Sequence, residues 1–312
     1  MSLPLKKAYF EREDIMKILV FGSLNIDYVM AVDHIIAPGE TEKINRMQVF
    51  PGGKGLNQAA AIARAGYPVA LAGNVGKSDY RLLLDTMTEY GVDCSHVRKL
   101  QGLSGSAYIQ VDTAAQNCIL IAANANGMNT EASIEAVLSQ FFAGDIVLLQ
   151  NEINLLDYIV CVAHQRGMRI YLNPSPYNEQ LQKVPLELVD GFIFNEVEGE
   201  QMTGLKTPAK ILKEMRARYP HSEFLLTLGA QGAVLMRGSR KIRQAAFPVK
   251  PVDTTAAGDT FTGFYLAEIA RRSTAQTALE RAAKAAAIAT TRQGAASSIP
   301  SLQEVLDSPL IV

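Results

Sequence analysis

Short apolar runs rich in Ile, Val, Leu and Phe punctuate the chain at 18–22, 70–73, 145–149, 169–172, 191–194 and 223–228, each reading as a buried strand. Between them, apolar positions recur at helical spacing over 57–65, 80–90, 130–141, 155–166 and 208–219, several of these stretches closed by a following Gly or Pro. The alternation predicts βαβ units: an α/β fold with a doubly wound, mostly parallel sheet sandwiched by helices. Near the C-terminus Phe261, Phe264, Tyr265 and Ile269 repeat at helical spacing, which predicts one more helix with an apolar face. Two stretches break the rhythm, 28–50 and 104–122; in the second, Ser106, Tyr108 and Gln110 alternate with hydrophobic neighbours. They read as strands outside the main sheet. The first convincing strand starts at Met16, so residues 1–15 read as an N-terminal extension or leader, and 16–312 as one domain without repeats or low-complexity linkers.

Composition narrows the function classes. A chain of 312 residues with 48% hydrophobic content can bury a substantial core. Its 30 basic and 31 acidic residues give a net charge of −1, which leaves no electrostatic footprint for nucleic acid or an anionic membrane. Cys94, Cys118 and Cys161 are scattered without a C-x-x-C pair, as in a reduced cytoplasmic protein without a zinc site. No apolar stretch is long enough to span a bilayer, and the leader lacks the hydrophobic core of a signal peptide, so a cytoplasmic location is expected. His34, His96, His164 and His221 show neither metal-ligand spacing nor a paired nucleophile. The run Gly73-Asn74-Val75-Gly76-Lys77-Ser78 ends like a Walker A loop, but the first glycine of that pattern would fall at Leu71, so it fails.

The chemistry-bearing segments lie elsewhere. In 253–263, Ala256, Ala257 and Gly258 carry almost no side chain, so their N–H groups can approach an anion, with a helix dipole behind them. Asp259 then sits where a base for phosphoryl transfer is needed; an ordinary N-capping Asp is the competing reading. Asn25, Asp27 and Asn57 are residue types that hydrogen-bond sugar hydroxyls. Gly52 and Gly53, without Cβ atoms, let the backbone before Lys54 approach a small ligand, or simply make a turn. Glu152 follows an apolar strand, where ligands bind in open α/β sheets, though it also reads as a solvated loop acid or a helix cap.

These segments together resemble the ribokinase, or PfkB, family of carbohydrate kinases. Residues 51–60 resemble its Gly-Gly-Lys-Gly-x-Asn-Gln-Ala motif, Asn25-Ile26-Asp27 its Asn-x-Asp sugar clamp, and 253–263 its C-terminal signature. The similarity runs from about Met16 to the last residues. It implies a ribokinase-like fold with a small β-strand lid formed by 28–50 and 104–122, pairing with a second subunit in a homodimer. It further implies an ATP-dependent sugar kinase, with ribose indicated first and deoxyribose, a ketose, a sugar acid or a nucleoside as alternatives, or a silent sugar binder. Asn25, Asp27, Gly53, Lys54, Asn57 and Glu152 would line the sugar pocket, Asp259 would be the base, and Ala256, Ala257 and Gly258 the anion hole. The segment Asn195-Glu196-Val197-Glu198 resembles the family's Asn-x-x-Glu, so Asn195 and Glu198 would organise phosphate and Mg²⁺ through water. Thr227, Gly229 and Gly232 match a nucleotide-binding Thr-x-Gly-x-x-Gly, with a plain hairpin turn as the alternative. Asp253, Thr255, Ala289, Arg292, Gly294 and Ser298 would enclose K⁺, mostly through backbone carbonyls. Leu56 stands where an alanine is common in ribokinases.

Overall fold

The fold is known from a computed structural model, which describes residues 15–114 and 116–311; the leader at 1–14 lies outside them. The chain opens with β1 (Ile18–Phe21), leaves the main sheet for β2 (Asn25–Ala31) and β3 (Arg46–Gly52), and returns through α1 (Lys54–Arg64) to β4 (Val69–Gly76). Then come α2 (Arg81–Glu89), β5 (Asp93–Leu100), β6 (Gly105–Val111), β7 (Asn117–Ala122), α3 (Glu131–Leu138), β8 (Ile146–Gln150) and α4 (Leu156–Gln165). The remainder is β9 (Arg169–Asn173), β10 (Gly191–Asn195), α5 (Glu196–Thr203), α6 (Pro208–Arg218), β11 (Glu223–Thr227), β12 (Ala233–Arg237), β13 (Arg240–Gln244), α7 (Ala257–Ala270), α8 (Ala275–Thr290) and α9 (Leu302–Asp307).

Nine strands form one sheet in the order β13-β12-β11-β10-β9-β8-β1-β4-β5, and four form a second in the order β3-β2-β6-β7. All pairings in the large sheet are parallel except β11–β12 and β12–β13. Alternation along β1 shows why the sheet is wound on both faces: Ile18 and Val20 join a core with α1, α2, α7 and α8, while Leu19 and Phe21 join one with α3, α4 and α6. Leu56 is fully buried in the first of these cores. Among the described residues no helix is long and apolar enough to cross a membrane.

One feature differs from the sequence reading. The helix after Asp259 buries not one face but its whole circumference from Asp259 to Ala270, because α7 runs between α1 and α8. Gly263 makes this possible, since a Cβ there would overlap the Ala61 side chain and lie 2.8 Å from the Ile62 nitrogen on α1. The stretch 28–50 holds two strands, joined by a mostly exposed connection over 33–45.

The four-stranded sheet is separate from the main sheet and is entered from the end of β1. Its pleat decides which residues face the main domain: Asp27 pairs with Phe50 and Ala107, whereas Tyr28 pairs with Val49 and Tyr108 on the opposite face. The Tyr28 and Tyr108 rings stack at 5.2 Å on that far face, whereas Phe50 shares the face of Asp27. The edge strand β7 leaves Ile119, Leu120 and Ile121 49%, 64% and 53% exposed.

Candidate active site

The residues singled out in the sequence converge where the parallel strands end. Asn25 and Asp27 come from β2, Lys54 and Asn57 from the first turn of α1, Glu152 from the loop after β8, Asn195 from the end of β10, Glu198 from the first turn of α5, and Asp259 from the first turn of α7. A cavity of about 190 Å³ is bordered by four of them, Lys54, Asn195, Glu198 and Asp259, together with Thr227, Ala256 and Gly258. An open α/β sheet has its strand carbonyl ends and helix N-termini here, so the fold itself supplies oriented donors at this edge.

Asp259 is the best-held group. Its Oδ2 accepts from Asn57 Nδ2 at 3.1 Å and its Oδ1 from Gln58 Nε2 at 2.8 Å. It is not an N-cap: that position falls to Ala256, which adopts a left-handed φ of 57°. An alanine there costs about 1 kcal/mol relative to the right-handed region, a local strain of the kind stored at working turns. The turn spends one expected donor, since the Ala257 N–H bonds the Thr254 carbonyl at 3.2 Å. The Gly258 and Asp259 N–H groups have no partner among the described residues and so remain available to an anion.

Glu152 is neither a solvated loop acid nor a cap for α4. Its carboxylate accepts from the Ser23 hydroxyl and, at 3.3 Å, from the Lys54 backbone N–H. Desolvation lifts its carboxyl above the usual range, with the Lys54 charge pulling the other way. Desolvation tends to lower the Lys54 ammonium, but Asp259, Glu152 and Glu198 together hold it above its ordinary value. Asp27 is pushed up to about 7, chiefly by desolvation and then by the charges of Glu152 and Asp259. Among the described residues five buried side-chain oxygens find no donor: Asp27 Oδ1 and Asn57 Oδ1 in the expected sugar pocket, and Asn74 Oδ1, Gln150 Oε1 and Asn151 Oδ1 around it.

The glycines have a use beside the one expected. A Cβ on Gly52 would overlap the Asp27 carboxylate, and one on Gly53, at φ 92°, would meet the Ser23 carbonyl and Asn25 nitrogen at 2.9 Å. They make room for Asp27 and for the start of β2. Asn195 and Glu198 form a reciprocal capping box, each accepting the other's backbone N–H at 2.9 and 3.0 Å. The Thr227–Gly232 segment is the hairpin turn joining antiparallel β11 and β12; Thr227 reaches the cavity, whereas Gly232 lies against the Gln244 carbonyl.

Beside the cavity, Asp253 accepts from the Thr255 and Gly294 N–H groups at 2.9 and 3.0 Å, tying the two loops together. Those donors hold its carboxyl below the usual range despite partial burial. Ala289 is buried in α8, and the Ser298 hydroxyl donates to the Ala295 carbonyl at 2.8 Å. The Arg292 guanidinium turns away to Glu304, so only its backbone can serve this corner.

Sequence reasoning assigned no role to Ser23, Gln58, Asn126 or Gln150, and noted Asn173 only within the strand-end run Asn173-Pro174-Ser175-Pro176. Asn126 donates to Asn25 Oδ1 at 2.7 Å and accepts from the Leu24 N–H, so the Asn25 amide presents its nitrogen away from that contact. Gln58 and Gln150 stood inside recognised segments; nothing in their spacing reveals that they meet.

The pfkB family carbohydrate kinase profile matches residues 16–302. The ribokinase of Haemophilus influenzae is 33% identical over 296 residues, covering 92% of this chain and 96% of the relative. The deoxyribokinase of Salmonella typhi is 28% identical, covering 93% and 97%. Among solved structures, ribokinase from Thermotoga maritima superposes with a TM-score of 0.84 at 33% identity, covering 93% of this chain and 98% of that one. Arabidopsis thaliana ribokinase, complexed with ribose and ATP, gives 0.81 at 28% identity, covering 93% and 97%. With the family profile spanning nearly its whole length, and with this fold, the chain belongs to the pfkB family of carbohydrate kinases.

Proposed function

We propose that this ATP-dependent sugar kinase phosphorylates D-ribose on its primary hydroxyl, giving ribose 5-phosphate, with Asp259 as general base. The observation that carries the reading is the pair of buried acceptors without donors, Asp27 Oδ1 and Asn57 Oδ1, in a site whose Asp259 already takes the Asn57 amide. A buried acceptor left unpaired is costly, and a ligand with adjacent hydroxyls satisfies two at once. Asn25, Lys54, Asn57 and Glu152, the residues grouped with Asp27, are polar, and the stacked tyrosines lie on the far face of the lid, leaving Phe50 as the lid aromatic on the face of Asp27, which favours a sugar over a nucleoside base.

In this reading Asn25, Asp27, Asn57, Lys54 and Glu152 hold the sugar, with Gly53 shaping the turn behind it. Asp259 takes the hydroxyl proton as that oxygen attacks the γ-phosphoryl of ATP. Alignment and charge stabilisation dominate phosphoryl transfer, so the N–H groups of Ala256 and Gly258, joined by that of Asp259, stabilise the developing charge. Ala257 acts through the turn it closes. Thr227, Asn195 and the Gly229–Gly232 hairpin border the nucleotide. Glu198 keeps one oxygen in its cap and has a second for water-held Mg²⁺, in keeping with the few protein carboxylates that ion takes. Bound Mg²⁺ would neutralise charge on the transferred group. The loops tied by Asp253, carrying Thr255, Ala289, Arg292, Gly294 and Ser298, offer the oxygens a K⁺ ion takes. The exposed apolar strand β7 would pair with a second subunit's lid, and the enzyme would act in the cytosol.

The test is ADP production from MgATP, with and without K⁺, on D-ribose, 2-deoxy-D-ribose, fructose, sugar acids and nucleosides. Ribose is expected to give the highest kcat/KM, whereas preference for deoxyribose would keep the chemistry and replace the substrate. Asp259→Asn is expected to fold normally and to lose about 10²-fold or more in kcat; near-normal turnover removes Asp259 as the base.

A further inference from the structure

We infer that Gln58 and Gln150 form an amide relay that fixes the Asp259 carboxylate for proton abstraction, which makes Gln58 a positioning residue for the transfer step; this rests on Asp259 being the base, as proposed above. Neither glutamine borders the cavity, and both are fully buried, at 0% exposure. Their orientation follows from one backbone group. The Ile193 carbonyl can only accept, so the Asn173 amide nitrogen that lies 2.9 Å from it is the donor, and Asn173 Oδ1 faces Gln58. Gln58 Nε2 therefore points at Asn173 Oδ1, at 3.4 Å, and at Asp259 Oδ1, at 2.8 Å. Its Oε1 is left facing the other way, where Gln150 Nε2 donates at 2.6 Å. Flipping Gln58 would set its oxygen against two acceptors and its nitrogen against the Gln150 donor, which buried groups do not tolerate.

The carboxylate is thus gripped at both oxygens by consecutive residues of α1, Asn57 on Oδ2 and Gln58 on Oδ1. It cannot rotate about its Cβ–Cγ bond without losing both bonds. Each carboxylate oxygen keeps a second lone pair, so the grip leaves a site for the incoming hydroxyl proton. The relay links the ends of β8, β9 and β10 to α1 and α7, so the sheet edge sets the base's plane.

The experiment is steady-state kinetics with MgATP and saturating D-ribose, or 2-deoxy-D-ribose if the wild-type chain turns that over instead. Gln58→Met removes the donor at similar volume and is expected to lower kcat about 10²-fold, the scale of a misplaced reacting group. The sugar KM should stay within about threefold, since the loss falls on the transition state. In an Asp259→Asn background the same change should cost less than about twofold, because Gln58 acts only through that carboxylate. Gln150→Glu gives a second reading: a protonated Glu can still donate to Gln58, an ionised one cannot, so its kcat relative to wild type should fall about tenfold or more between pH 6 and 9. A Gln58→Met kcat within about threefold of wild type, or an equal fall in both backgrounds, overturns the relay while leaving Asp259 as base. Should Gln58→Met fail to fold, a flat Gln150→Glu ratio across that pH range overturns it. Near-normal turnover by Asp259→Asn alone removes the base reading and the relay with it.

Discussion

Sugar binding by this protein should release a proton and tighten as pH rises through 7, because of Asp27. Its carboxyl is raised to about 7, from an ordinary 3.8, by desolvation first and then by Glu152 and Asp259. Its Oδ1 is sealed without a donor, so nothing in the sugar-free protein offsets the lost hydration of the charge. At pH 6 roughly a tenth of the molecules then carry an ionised Asp27, and at pH 8 roughly nine tenths. Sugar hydroxyls donate to the ionised form, so binding lowers this pKa and favours the charged state. The affinity should therefore rise about tenfold from pH 6 to pH 8 and level off above. Stability carries the matching sign: a raised folded-state pKa contributes stability that is full below the unfolded value and is lost as pH rises through 7. The sugar-free protein is thus held back at pH 8 and relieved by ligand. Calorimetric titration of D-ribose without ATP, in buffers of different ionisation enthalpy, reads both affinity and proton release. Asp27→Asn should bind more weakly and flatten the dependence. An affinity constant within about twofold across pH 6 to 8, or an unchanged slope in Asp27→Asn, refutes the argument.

Three further outcomes follow from other contacts. Gly263→Ala forces a methyl into Ala61 and the Ile62 nitrogen, and should cost about 1–3 kcal/mol in urea unfolding while lowering kcat, since α1 and α7 carry Asn57 and Asp259. Glu268 is fully buried and held by Arg271 and Arg281 at 2.8 and 2.9 Å and by the Ser273 hydroxyl at 2.6 Å, donors that keep its carboxyl below the usual range despite burial. Glu268→Ala should lower stability by about 3–5 kcal/mol in the same assay, with kcat at 25 °C unchanged because the cluster lies away from the cavity. Glu198→Gln keeps an acceptor for the Asn195 N–H, so the melting temperature should hold while the Mg²⁺ concentration for half-maximal turnover rises about tenfold or more; an unchanged Mg²⁺ requirement removes Glu198 from the ion's surroundings.

The main sheet was legible in the sequence wherever its strands are buried on both faces: β1, β8, β9, β10 and β11 are continuous apolar runs, because helices cover them on either side. The strands that escaped notice include its two edges. β5, Asp93–Leu100, and β13, Arg240–Gln244, are half solvated and rich in charge, as edges that avoid further pairing must be, so no apolar run marks them. The site divides in the same way. Asp259, Lys54, Asn57 and Glu152 could be named because residue type and position at strand ends and helix starts limit what they can do.

Sequence alone determined the residue types and the periodicities, and with them an α/β sheet and a turn able to face an anion. Only the tertiary structure decided how those residues act on one another. The Gly52-Gly53 pair reads as freedom for a ligand, yet its missing Cβ atoms are filled by Asp27 and the start of β2. Ala257 reads as a donor, yet its N–H is taken by Thr254. Gln58 reads as one more polar residue on a helix, yet it sits between Asp259, Asn173 and Gln150, which lie 201, 115 and 92 residues away. Hydrogen bonds depend on direction and distance in space, and across such separations the chain's order carries neither until the sheet has closed.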